Sequence, residues 1–294
     1  MLRRGEQYQV LTTDHLRAFT EDPALQARIA AIHALGDIWA MGAQPQTVLT
    51  HIILPRMSAT LQQRWLTDIM AAAAEVFSAQ GATIVGGHTS LGSELTIGFT
   101  ISGECEREPI QLSGGQADNV LILTKPLGSG TLLAAEMAMQ ANGEDVLATL
   151  QCMQQEQATA ATILQDAQAM TDVTGFGLAG HLLGMCEASQ CGAELKLAAL
   201  PLLDGAVKLA QQGVRSSLFK DNHQVAIRMI LPESDDEVMN ARINLLFDPQ
   251  TAGGLLAAVK AETAEDKLAQ LQQAGYQAAI MGRLVAGEPL IQVI

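Results

Sequence analysis

The sequence predicts a two-domain α/β (α+β) protein, and three observations lead there. The chain has 294 residues, more than one ordinary core organises at roughly 100 to 200 residues per domain. Strand-like apolar runs alternate with segments of helical period in both halves. Between the halves lies a polar, glycine-containing connector, "REPIQLSGGQADN", which marks a junction near residues 106–118. The expected domains are residues 1–112 and 113–294.

The elements follow in order. "YQVLTTDHL" is a strand ending in polar residues, with Asp14 at its end. In "TEDP", Asp22 is the expected N-cap and Pro23 the first helical residue. Leu25, Ile29, Ile32, Leu35 and Trp39 then form one helical stripe, with His33 and Asp37 on a neighbouring face that borders the core. "TVLTHIILP" is a strand stopped by Pro55, and the next helix starts at a Ser58 cap and ends at Gly81. "ATIVGGHTS" and "ELTIGFTISGE" are strands. The second half reads as strand "VLILTKPLG", a helix from Gly130 to Met139, a helical stretch around 155–169, and helix "GFGLAGHLLGMCEAS". Strand "AELKL", a helix from Leu203 to Gln212 and an irregular polar segment through about Asn244 come next. Strand "GLLAAV", helix "AEDKLAQLQQAG" and strand "QAAIMGRL" complete it.

Composition narrows the partners. Hydrophobic residues make up 48% of the chain and aromatics only 3%, so the cores must rest on Ala, Leu, Ile, Val and Met, and base-stacking platforms for nucleic acid are not expected. A formal net charge of -14 repels nucleic-acid backbones and anionic membranes, so neither is an expected partner. A nucleotide is compatible with that charge when divalent cations sit between carboxylates and phosphates. No apolar run reaches membrane-spanning length. The four cysteines form no CxxC pair and no signal-peptide pattern precedes them, so a reducing cytoplasm is the expected home.

Three stretches invite chemistry, each with a plain structural alternative. Gly86 and Gly87 in "TIVGGHTS" would let a backbone approach a phosphate, although a tight turn or bulge is the simpler explanation for them taken alone. His88 beside them reads first as a hydrogen-bonded structural histidine. In "MTDVTGFGLAGH", Asp172 precedes a candidate Thr174 cap, and Gly177, Gly180 and Gly184 fall on one helical face as a packing seam. "FDPQTAGG" is a turn before a strand. There is no Walker A lysine motif, GxGxxG, HExxH or GxSxG. Asp14, Asp37 and Asp172 acquire meaning if the fold gathers them around a cation.

Taken together, "TTDHL", "HALGDIWAMGAQP", "VGGHTS", "LTKPLGSG", "TDVTGFGLAGH" and "LLFDPQTAGG" resemble, in order and spacing, the selenide, water dikinases (selenophosphate synthetases) of the aminoimidazole ribonucleotide synthetase-like superfamily. The resemblance runs from about Tyr8 to the C-terminus. It implies an N-terminal domain that binds ATP and metal and forms a homodimer through its strands, followed by a C-terminal α/β domain. It implies that ATP, selenide and water become selenophosphate, AMP and phosphate, with Mg²⁺ as cofactor. By position, Asp14, Asp37, Gly86, Gly87 and His88 would contact the nucleotide, and Asp37 and Asp172 the metal.

The departures from the family pattern are informative. Family chains carry a catalytic Cys or selenocysteine, a Lys and a GDDAA-type loop in a leading segment, whereas this sequence starts at "MLRRGEQYQVL", so no catalytic residue is assigned. His33 replaces a usual Asn, Gly36 a usual Ser, and Phe247 and Ala252 a usual Cys and Ser. Two readings follow: the synthetase, or the synthetase part of a longer or fused enzyme, and an inactive truncated homologue that dimerises and binds nucleotide weakly. A related ATP enzyme with another substrate ranks third.

Overall fold

Met1–Pro109 and Ile110–Ile294 form separate units in the computed structural model. It describes residues 1–294, the side chain of Arg4 excepted. The first unit contains β1 (Leu2–Arg4), β2 (Gln7–Arg17), α1 (Pro23–Ala40), β3 (Gln44–Pro55), α2 (Ala59–Ala79), β4 (Thr83–Gly92) and β5 (Thr96–Cys105). Its sheet runs β1-β2-β5-β3-β4. β5 pairs antiparallel with both β2 and β3, while β3 and β4 are parallel and joined by α2, the crossover that parallel pairing requires.

Local chemistry starts both helices where expected. The Asp22 carboxylate accepts from the Ala24 and Leu25 N–H groups at 2.9 and 3.1 Å, with Pro23 behind it, and the Ser58 hydroxyl accepts from Leu61 N–H. These bonds satisfy donors that a helix start would otherwise leave open. α1 buries more than the single expected stripe. Ala27, Ala30, Ala31 and Ala34 are as buried as Ile29, Leu35, Ile38 and Trp39, whereas Leu25 is only partly covered. Small side chains let α1 lie against α2, β2 and β5 at once, and a helix apolar all round is a buried one.

The sheet has two unlike faces. Val10, Val48, Ile52, Ile97, Phe99 and Ile101 are buried, and Phe99 meets Phe77 of α2 edge to face with ring centroids 4.9 Å apart. The alternate residues Leu11, Leu49 and Ile53 stay exposed around a polar line in which Thr13, Thr100 and His51 are hydrogen-bonded.

The second unit contains β6 (Val120–Leu123), α3 (Ser129–Met137), α4 (Gly143–Met153), α5 (Ala158–Ile163), β7 (Ala169–Asp172), α6 (Gly177–Ser189) and β8 (Gly192–Leu195). It continues with α7 (Ala206–Gln211), α8 (Phe219–Asn222), β9 (Met229–Ile230), α9 (Glu237–Leu245), β10 (Leu255–Val259), α10 (Ala261–Gln273), β11 (Ala279–Val285) and β12 (Ile291–Val293). The strand order is β7-β10-β6-β11-β8-β12-β9. Leu121, Leu123, Leu256, Met281 and Leu284 of the sheet share one core with Leu178, Leu182, Met185 and Cys186 of α6. A second cluster joins α3, α7 and α9 through Leu132, Leu209, Ala241 and Leu245.

Several expected elements differ. The helical stretch at 155–169 holds only the short helix α5, with turn residues after Ile163, and the longer helix α4 precedes it. The irregular segment before Asn244 contains α9, started by Asp236, whose carboxylate accepts from Val238 N–H at 2.8 Å. Asn240 and Asn244 interrupt its apolar period, which hid it. β1 and β12 are too short for a strand period to declare itself.

Replacing Phe99 by Ala removes the ring at the centre of the first unit. The expected cost is about 3–5 kcal/mol in urea unfolding, against less than about 0.5 kcal/mol for Leu147→Ala on the exposed side of α4.

Candidate functional site

The period of two along β2 puts Thr12 and Asp14 on the same face as the buried Val10, and one helical turn separates His33 from Asp37 on α1. The fold brings these four side chains together. Thr12 Oγ1 donates to Asp37 Oδ2 at 2.5 Å, and His33 Nε2 lies 2.9 Å from Asp14 Oδ2. Asp14 Oδ1 accepts from the His15 N–H at 2.7 Å. Asp14 is not at the end of its strand, which continues to Arg17, and His33 is inside the core at 7% exposure rather than on its border.

The two carboxyls are tuned in opposite directions. Burial raises Asp14, but the His33 hydrogen bond and charge, with the His15 N–H, outweigh it and hold the group below its ordinary range. Burial pushes Asp37 up; the Thr12 bond opposes that shift, the Asp14 charge adds to it and His33 lessens it. The result is a half-buried pair of acids sharing one imidazole.

Gly86, Gly87 and His88 lie elsewhere in this unit, on the edge strand β4, with β5 and β3 between it and β2. Three strand spacings amount to about 14 Å. The glycines have a packing reason. The β3–β4 register shifts between Val48 and Leu49, leaving Val85 as the extra residue of a bulge. A Cβ on Gly87 would come within 2.1 Å of Thr50 Oγ1, and one on Gly86 within 3.3 Å of Leu49 Cδ2. His88 is exposed opposite His51.

Asp172 closes β7 opposite Leu255 and is buried. Thr174 does not cap the following helix: α6 begins at Gly177 behind Phe176, with no side-chain cap. Thr174 N–H instead donates to His181 Nε2 at 3.0 Å, and burial pushes that imidazole down to about 4, keeping it neutral and able to accept. The glycine seam is also narrower than its spacing suggests. Gly177, at φ +69°, fits against Leu246 O and Phe247 C, and Gly180 against Phe176, while nothing lies within 4 Å of a Cβ on Gly184.

The "FDPQTAGG" turn is a buried polar network. Asp248 Oδ1 accepts from Thr131 Oγ1 at 2.8 Å, and Gln250 Nε2 donates to Asp248 Oδ2 at 3.1 Å. Burial pushes Asp248 up to about 6, against the hydrogen bonds from Thr131, Gln250 and Gly130. Lys125, fully buried and pushed down to about 8 by desolvation, donates through Nζ to the Ala252 carbonyl at 2.9 Å. Sequence reasoning assigned no role to Thr12, Lys125, Asp248 or Gln250. For Thr12 the signal was present: it is two residues from Asp14, hence on the same strand face.

Among the described residues no three His, Cys, Asp or Glu side chains gather closely enough to hold a metal ion by themselves. The donor set still suits Mg²⁺, which takes one or two carboxylates and completes its shell with waters and phosphate oxygens. No described helix is long and apolar enough to cross a membrane.

This frame has relatives. The model of the AIR synthase related protein N-terminal domain matches residues 1–105, and that of its C-terminal domain matches residues 116–292. Fold and site thus define an AIR synthase related protein. A selenide, water dikinase from Aeromonas salmonicida is 35% identical over 97% of the chain and 82% of its own length. One from Caldanaerobacter subterraneus subsp. tengcongensis is 33% identical over 94% and 79%. The chain belongs to the selenide, water dikinase family. Among solved structures, thiamine-monophosphate kinase from Stenotrophomonas maltophilia K279a shares the fold with a TM-score of 0.75 at 18% identity, covering 99% of this chain and 86% of that one. Escherichia coli HypE, a hydrogenase maturation protein, does so at 0.71 and 21%, covering 97% and 82%. A ThiL structure complexed with AMPPCP and TMP aligns with a TM-score of 0.72 at 18% identity, over 99% of this chain and 85% of its own.

The Asp248 shift has a sign that can be measured. A carboxyl raised in the folded state holds more protons than in the unfolded chain, so its stabilising contribution is complete below pH 3.8 and is lost as pH rises through about 6. In Asp248→Asn the decline of stability between pH 4 and 7 should shrink by on the order of 3 kcal/mol in urea titrations. The whole curve should also sit lower, because the new amide nitrogen must replace one of the two acceptor oxygens that Thr131 and Gln250 use.

Proposed function

We propose that the chain takes part in ATP-dependent synthesis of selenophosphate, in which ATP, selenide and water give selenophosphate, AMP and phosphate. The observation that carries this reading is the meeting of Asp14 and Asp37 under α1 in a chain at least 30% identical to selenide, water dikinases along most of its length. The nucleotide complex of the ThiL neighbour supports ATP as substrate.

In this reading Asp37 and Asp172 each offer carboxylate oxygen to Mg²⁺. When bound, the metal offsets charge on the transferred phosphoryl oxygens. Asp37, raised by burial and by the neighbouring Asp14, gains most from a nearby cation, while Thr12 fixes one of its oxygens and leaves the other to the metal. Asp14, Gly86, Gly87 and His88 contact the nucleotide. A homodimer covers the apolar residues Leu11, Leu49 and Ile53 left exposed on the sheet of the first unit. The free thiols of Cys105, Cys152, Cys186 and Cys191 fit a reducing cytoplasm.

A second reading, a non-catalytic homologue that dimerises and binds nucleotide weakly, is favoured by His33. Its imidazole already engages the Asp14 carboxylate that a nucleotide-bound cation would otherwise draw on. ³¹P NMR of the purified chain with ATP, Mg²⁺ and selenide under anaerobic conditions separates the two. Selenophosphate and AMP signals establish synthesis; ATP left intact but bound establishes the second reading.

Asp37→Asn should weaken Mg²⁺-dependent nucleotide binding about tenfold or more by calorimetry. Thermal stability should hardly change, since the substitution removes a charge that burial disfavours. Unaltered binding rejects Asp37 as a ligand.

A further inference from the structure

The buried amide of Gln250 sits where three segments of the second unit meet. Its Oε1 accepts from Gly128 N, Ser129 N and Ser129 Oγ at 3.0, 3.2 and 3.1 Å. Its Nε2 donates to Asp248 O at 2.7 Å and to Asp248 Oδ2 at 3.1 Å. Its backbone N–H donates to Thr174 O at 2.9 Å, and Val173 N–H donates to Gly254 O at the same distance. The turn and the residues after Asp172 are therefore bolted together, so closely that a Cβ on Gly253 would fall 2.0 Å from Val173 O.

The turn is not in a relaxed conformation. Ala252 holds φ at +48°, in the left-handed region that alanine avoids, and its carbonyl is the acceptor of the buried Lys125 ammonium. Such a conformation persists only where the surroundings over-determine it. The Gln250 side chain supplies much of that determination. It needs an acceptor at one atom and a donor at the other, which an amide provides and a carboxylate does not.

We propose that Gln250 is a positioning residue that fixes the direction of the Asp172 carboxylate through the backbone of Val173 and Thr174. The inference rests on Asp172 as a metal ligand. The Gln250 side chain is engaged with Gly128, Ser129 and Asp248, so its effect on the site runs through the backbone. It holds the turn, the turn holds the two residues after Asp172, and they set where the carboxylate stands.

Gln250→Glu keeps shape and acceptor but turns the Nε2 donor into an oxygen facing the Asp248 carbonyl and carboxylate. The double variant Asp248→Asn with Gln250→Glu restores the side-chain match in reverse, with the new amide at position 248 donating to the new carboxylate at 250, while the backbone carbonyl of residue 248 still faces an oxygen. Mn²⁺ binding to the full chain in the presence of ADP, followed by the loss of the free-ion EPR signal, reads the effect alongside melting temperature. Asp172→Asn and Gln250→Glu should each weaken Mn²⁺ binding about tenfold, and the double variant should bind measurably tighter than Gln250→Glu alone, recovering part of the loss.

Parental Mn²⁺ affinity in Gln250→Glu overturns the proposal. So does a double variant that regains melting temperature while binding Mn²⁺ as weakly as Asp172→Asn, because Gln250 then serves stability alone. Should the single variant fail to fold, the double variant decides between the same outcomes. Parental affinity in Asp172→Asn identifies a different failure, that of Asp172 as a ligand, and removes the basis of the proposal.

Discussion

A carboxylate taken out of water must find donors or a positive charge, and both units of this chain are arranged around that requirement. In the first unit, Asp14 is matched by His33 and held low, while Asp37 has one hydroxyl donor, a like charge beside it and a raised pKa. In the second, Asp248 has several neutral donors and is still pushed up to about 6. Neutral donors satisfy lone pairs without cancelling charge. That difference separates a structural acid, completed by the protein, from a pair of acids whose charge is only partly met.

The ring-poor composition sets how close these groups come. With alanine at four core positions of α1, the helix packs closely on the sheet, so a strand and a helix can share the His33–Asp14 contact. Gly253 and Gly254 do the same for the buried turn, where a Cβ on Gly254 would meet Lys125 N at 2.5 Å. The net charge of -14 gives no general attraction for phosphates. An anion bound by this chain must then be met by local donors or local positive charge rather than by the overall field.

Much of the fold was legible because it rests on local chemistry. Asp22 with Pro23, Ser58, and the alternation of β2 and β5 each announce a start or a face within a few residues. What escaped depends on distant partners. Nothing near Glu237–Leu245 shows that α9 packs on α3 and α7. Nor does the spacing of Gly177, Gly180 and Gly184 reveal that only the first two meet close neighbours. In the site, the Asp14–Asp37 association follows from one strand face and one helix face. The Gln250 network joins residues more than 100 positions apart, and no periodicity encodes it. The glycine pair at Gly86 and Gly87 shows the converse: a pattern that suits phosphate binding is also what a bulged parallel pair demands at Thr50.

The same frame, at 18–21% identity, serves a thiamine-monophosphate kinase and a hydrogenase maturation protein, so the frame does not choose the chemistry. Choice must lie in side chains that the frame holds but does not need. Val10, Ile97 and Phe99 are needed for the core whatever the substrate. His33 is set by a different demand: its imidazole is matched to the Asp14 carboxylate rather than to the apolar core, and a smaller apolar residue there would leave that carboxylate without its partner. A residue chosen for its contact with Asp14 rather than for apolar packing is where this chain can differ in function from relatives built on the same sheets.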